Sequence, residues 1–66
     1  MELTINGETT RITKAETISE LLAELKIVSG RVAVEVNQSV VRKMDFDTFR
    51  LHEGDIVEIV NFVGGG

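Results

Sequence analysis

Residues 17–25 read Thr17-Ile18-Ser19-Glu20-Leu21-Leu22-Ala23-Glu24-Leu25, and this is the one stretch of the chain with a helical period. Ile18, Leu21, Leu22 and Leu25 stand at i, i+3, i+4 and i+7, which places them on one face of a helix. Thr17 and Glu20 match the S/T-x-x-E capping box, in which the two side chains satisfy orphan amides at a helix start. Ser29-Gly30 ends the segment. A lone amphipathic helix must bury its stripe against something, and the flanking sequence offers only strands. One helix on one sheet is the expected architecture.

Upstream, Glu2-Leu3-Thr4-Ile5 alternates with period two and Asn6-Gly7 follows, the dipeptide that supplies the positive φ angles of a type I′ hairpin turn. Glu8 to Ile12 reads as the returning strand, with Thr10 and Ile12 on the same side as Leu3 and Ile5. Downstream, Val32, Val34 and Val36 alternate with Ala33 and Glu35, a half-buried strand. Asn37-Gln38-Ser39 reads as a turn and Val40-Val41 as a short strand. Arg42 to Phe49 fits no single period and reads as irregular, with a short helical turn and an aromatic anchor. Glu53-Gly54-Asp55 turns the chain into a last strand from Ile56 to Phe62, apolar on both faces and therefore central. The order β-β-α-β-β-β, with Leu21, Leu22 and Leu25 packed on Leu3, Ile5, Val34, Val57 and Ile59, is that of an α+β β-grasp with a mixed sheet.

Sixty-six residues make one small domain, expected over residues 1–63 with a flexible glycine tail at 64–66. A domain of this size buries only about 60% of its unfolded surface, so it often leans on disulfides or a metal. Here there is no cysteine and a single histidine, His52, so apolar packing must suffice. The net charge is −4, and Trp and Tyr are absent, which argues against nucleic acid as a partner. A basic protein surface is the better match. No apolar run reaches membrane-spanning length and the start lacks signal-peptide character, so the expected location is the cytoplasm.

The ending Val63-Gly64-Gly65-Gly66 is what raises the chain above a small generic domain. Glycine has no Cβ, so its backbone can pass through a narrow channel and approach a ligand closely. The five residues from Phe62 to Gly66 span roughly 17 Å when extended, far enough to enter a partner's active site. A terminal carboxylate is ionised at neutral pH and is a poor acyl electrophile, so acyl chemistry on it requires prior activation, as by ATP.

The length, the element order, Val32-Ala33-Val34-Glu35-Val36-Asn37, the turn Glu53-Gly54-Asp55 and the run from Glu58 to Gly66 together resemble the ThiS family of ubiquitin-like sulfur carriers. The resemblance covers essentially the whole chain. It implies a non-enzymatic protein co-substrate. An E1-like enzyme, ThiF, would adenylate Gly66 with Mg-ATP, and sulfur from a donor enzyme would convert it to a thiocarboxylate. Thiazole synthase, ThiG, would then use that sulfur for the thiazole of thiamine. By position Gly66 is the modified residue, and Gly65 and Gly64 are the threading tail. The chain itself would bind no cofactor, and the absence of thiols leaves only the terminus to hold sulfur. A molybdopterin synthase small subunit, a ubiquitin-like modifier and an RNA-contacting β-grasp module are the alternatives. Two departures stand out: Arg42-Lys43 where the family often has Pro-Arg, and Phe46 where it commonly has tryptophan.

Other residues carry weaker signals. His52 has no Ser, Cys or metal-ligand partner nearby in sequence and reads as a solvated turn histidine. Asp45, Asp47, Glu53 and Asp55 do not match calcium-loop spacing. If Val57 and Ile59 face the helix, the pleat sends Glu58, Val60 and Phe62 to the opposite face, beside the tail. They form either a docking surface or, for Phe62, a side chain folded back over the sheet edge.

Overall fold

The computed structural model describes residues 1–62; the glycines Gly64, Gly65 and Gly66 and the expected domain boundary at 63 lie outside the described residues. Five strands and one helix follow in the expected order: β1 (Glu2–Ile5), β2 (Glu8–Arg11), α1 (Ile18–Glu24), β3 (Val32–Val36), β4 (Ser39–Val41) and β5 (Ile56–Asn61). Short 3₁₀ turns occupy Ser29–Arg31 and Lys43–Asp45. The sheet order is β2-β1-β5-β3-β4. It is mixed: β1 and β5 run parallel, and the other neighbouring pairs run antiparallel. β5 is central, as its apolar character on both faces requires.

Both hairpins turn through residues with positive φ. Asn6 and Gly7 hold 50° and 86°, and Asn37 and Gln38 hold 51° and 74°. The second turn is tighter than the sequence indicates. Ser39 belongs to β4 and pairs with Val36, leaving a two-residue loop. β2 ends at Arg11, one residue before the expected Ile12, yet Ile12 is buried beside Leu3 as its period demands.

The capping box forms as read: the Glu20 amide donates to Thr17 Oγ1 at 3.2 Å and the Thr17 amide to Glu20 Oε1 at 3.2 Å. The two remaining early amides find carbonyls of the irregular segment, Ile18 on Phe49 and Ser19 on Phe46. That segment is thereby fastened to the helix start, and its anchor Phe46 is buried. The other end differs from expectation. α1 stops at Glu24 rather than at Ser29-Gly30, because Lys26 turns left-handed at φ 61°. The Lys26 amide then donates to the Ala23 carbonyl and the Ile27 amide to Leu22, which is a Schellman closure with lysine where glycine is usual.

Ile18, Leu21 and Leu22 pack on Leu3, Ile5, Val34 and Val57, all buried. Leu25, the C-cap of α1, and Ile59, both expected in the core, are only half-buried at its rim. One sheet face is thus filled. Among the described residues no helix or strand covers the other.

Candidate functional site

The chain approaches its last residues along the most restrained strand it has. β5 pairs with β3 from Val36↔Val57 to Val32↔Asn61, and the Phe62 amide still donates to the Arg31 carbonyl at 2.8 Å. On its other side β5 pairs with β1 only at Thr4↔Ile56 and Ile5↔Val57. There β1 turns away, and a side chain continues the ladder. Asn6 Oδ1 accepts from the Ile59 amide at 2.8 Å, and Asn6 Nδ2 donates to the Ile59 carbonyl at 3.2 Å. At the opposite end of the strand Asn37 Oδ1 accepts from the Ile56 amide at 2.9 Å. The asparagines of the two hairpin turns therefore hold the central strand at its start, Ile56, and beyond its middle, Ile59. Asx side chains suit this role because they tolerate positive φ while mimicking a backbone amide.

The pleat of β5 divides its side chains as expected. Val57 is fully buried under the helix, while Glu58, Val60 and Phe62 point to the uncovered face. Phe62 is 56% exposed and is not part of the buried core. Val60 is 57% exposed, opposite Ala33, and the face also carries Val40 and Ile56, both more than half exposed. Glu58 stands directly opposite Glu35. The sequence reading had missed Glu35, Val40 and Ile56 as companions of Glu58, Val60 and Phe62. Their alternation was visible, but the register that assembles them across three strands was not.

The remaining candidates are structural. His52 is exposed, and its amide donates to Asp55 Oδ2 at 2.8 Å, which closes the turn through Gly54. Asp55 also takes Asn37 Nδ2, Glu53 accepts from the Glu2 amide, and Asp47 accepts from the Ser19 hydroxyl. Among the described residues no group of three His, Cys, Asp or Glu is placed to hold a metal. A shallow concavity between residues 13–15 and α1 has its amides already taken. Glu24 accepts from the Thr13, Lys14 and Ala15 amides at 2.9, 3.2 and 3.0 Å. Those bonds, the Thr13 amide foremost and against a partial desolvation, lower the Glu24 pKa from 4.5 to about 2. No helix of the described residues is long and apolar enough to cross a membrane.

The arrangement is a five-stranded platform whose central strand leads up to residue 62 and whose open face carries exposed apolar side chains. Comparison with known proteins fits that geometry. The family model described as the ThiS family matches residues 3–66. The sulfur carrier protein ThiS of Bacillus subtilis is 37% identical over 65 residues, covering 97% of this chain and 98% of that protein. A thiazole synthase of Paramagnetospirillum magneticum is 42% identical over all 66 residues. The chain spans only 20% of the length of that protein and of a second thiazole synthase, from Magnetococcus marinus. The crystal structure of a thiamine biosynthesis protein (ThiS) from Geobacter metallireducens superposes with a TM-score of 0.84 at 39% identity, covering all of both chains.

Proposed function

The chain belongs to the ThiS family, and from that premise we propose that it is a sulfur carrier of thiamine biosynthesis with Gly66 as the loaded residue. The observation that carries the reading is the family match running through residue 66, so that it includes the three glycines. In the proposed cycle a Gly66 carboxylate oxygen attacks the α-phosphorus of Mg-ATP in an E1-like, ThiF-like adenylating enzyme. Pyrophosphate leaves and an acyl-adenylate forms. A sulfur nucleophile at the oxidation level of sulfide, provided by a donor enzyme, then adds to the acyl carbon and expels AMP. The product is a thiocarboxylate, which hands its sulfur to a thiazole synthase.

The folded domain supplies position rather than catalysis. Substrate geometry in such a step matters at the level of an ångström. A tail rooted on a strand held by β3, β1 and the Asn6 clasp gives the carboxylate a fixed origin. Glu58, Val60 and Phe62 are the docking residues of this reading, since they lie close in sequence to the glycines and are exposed on a sheet face that no other element of the described residues covers. Kinship with thiazole synthases favours that enzyme as recipient, and the need for ATP in the proposed loading step supports a cytoplasmic location for this reading. Incubating the chain with the cognate adenylating enzyme, Mg-ATP and sulfide tests the proposal by intact mass and fragmentation. It expects one oxygen replaced by one sulfur, located at Gly66. Sulfur found on another residue, or none with an active enzyme, refutes it.

A further inference from the structure

Asn6 is one of three asparagines in the chain, with Asn37 and Asn61, and it alone is followed by glycine. That dipeptide has a chemistry of its own. A backbone amide nitrogen can attack the side-chain carboxamide carbon of the residue before it, closing a five-membered imide. A Cβ on the attacking residue hinders the approach, and glycine has none. Gln38 and Phe62, which follow Asn37 and Asn61, both carry that hindrance. Around Gly7 the space is open, with no atom beyond its chain neighbours within 4 Å of where a Cβ would stand.

Burial does not protect the pair, because Asn6 and Gly7 are both exposed to water. What restrains Asn6 is its bonding. Its carboxamide is committed to β5, where Oδ1 accepts from the Ile59 amide at 2.8 Å and Nδ2 donates to the Ile59 carbonyl at 3.2 Å. Ile59 can serve both bonds because it and Val34 form a non-hydrogen-bonded pair of the β3–β5 ladder. The bonds from the Asn37 amide to Ile56 and from the Phe62 amide to Arg31 fix that alternation. To reach the Gly7 nitrogen, the carboxamide carbon must swing away from β5 and give up both bonds.

We propose that Asn6-Gly7 is a site of spontaneous deamidation, and that the clasp on Ile59 is the lock that holds it unreacted in the folded chain. In the first step the Gly7 nitrogen loses its proton and bonds to the Asn6 carboxamide carbon. The bond from that carbon to Nδ2 breaks, and ammonia leaves with the proton. Water then opens the imide on either side of the Gly7 nitrogen. Opening at the side-chain carbon gives aspartate. Opening at the backbone carbonyl gives isoaspartate, whose main chain is longer by one methylene. A carboxylate only accepts, so neither product can donate to the Ile59 carbonyl, and that half of the clasp is lost for good. Water is the one co-reactant, and the inference does not depend on the carrier reading.

The test is to incubate the parent chain at neutral pH, folded and in denaturing urea. Peptide mapping, with fragmentation that separates aspartate from isoaspartate, follows Asn6, Asn37 and Asn61. In urea Asn6 should convert well ahead of the other two. In the folded chain its rate should fall by about tenfold, the population cost of breaking two partly exposed hydrogen bonds. That rate should change little with urea below the unfolding transition, since opening one side chain exposes little surface. Equal rates in the folded and unfolded chain would mean that the clasp locks nothing. Suppression on the scale of global stability, with a steep urea dependence, would make the whole fold the guard rather than the clasp. Conversion in urea no faster at Asn6 than at Asn37 would remove the site. Any of these three results overturns the proposal.

Discussion

The side-chain amide of Asn6 exchanges two hydrogen bonds with the backbone of Ile59, fifty-three residues away in sequence. It takes the place of the residue β1 would have contributed had the strand continued, and it extends the β1 side of β5 two residues past the last paired residue, Val57. Asn6→Gly keeps the positive φ at no steric cost but removes both bonds. We expect a loss of about 1–2 kcal/mol, the net worth of two partly exposed bonds, read by urea unfolding. Asn6→Asp should cost less, because a carboxylate still accepts from the Ile59 amide and loses only the bond donated to the Ile59 carbonyl. Parental stability in both variants would mean that the clasp contributes nothing.

Glu24 links the loop before α1 to the helix through three backbone amides and the Thr13 hydroxyl. Its folded pKa is about 2, against 4.5 ordinarily. The folded value is depressed, so the carboxylate's contribution is fully present above about pH 4.5 and fades as pH falls toward 2. Glu24→Gln should therefore lower stability at pH 7 and flatten the acid limb of the stability curve between those values. Denaturant midpoints collected across that range check it, and parallel curves for parent and variant would contradict it.

Lys26 and Gln38 occupy left-handed backbone at φ 61° and 74°, where a side chain carries a steric cost. Glycine suits both places, one a helix C′ position and the other the second residue of a tight hairpin turn. Lys26→Gly and Gln38→Gly should each stabilise the chain by about 1 kcal/mol, and because the sites are separate the gains should add. Calorimetric midpoints decide the matter; a drop in either variant would place a compensating contact on the replaced side chain.

How far the sequence reached follows from which signals are local. The capping box, the Asn6-Gly7 turn and the alternation of Val32, Val34 and Val36 are written within a few residues, and each formed where expected. The early end of α1 was hidden because a left-handed Lys26 contradicts the local preference for glycine, and Ser29-Gly30 offered a more conventional stop. The Arg42-Lys43 departure from the family pattern proved harmless to the backbone. Arg42 adopts φ −71° and ψ 147°, values a proline would also take. The face of the candidate site was legible from the pleat of β5. Its completion by Glu35 and Val40, and the reach of Asn6 to Ile59, depend on register between strands far apart in sequence. No local pattern encodes that register.

The central claim is that the Gly66 carboxylate must sit at a set distance from the folded platform, and two length variants measure it directly. Deleting Gly66 withdraws the carboxylate by about 3.5 Å, and appending one alanine pushes it outward and adds a Cβ. Neither change touches the core, so stability should remain within about 0.5 kcal/mol of the parent. ATP–pyrophosphate exchange with the cognate adenylating enzyme, together with thiocarboxylate yield by intact mass, should fall by about a hundredfold or more in both variants. Exchange and thiocarboxylate at parental levels in both would contradict the account.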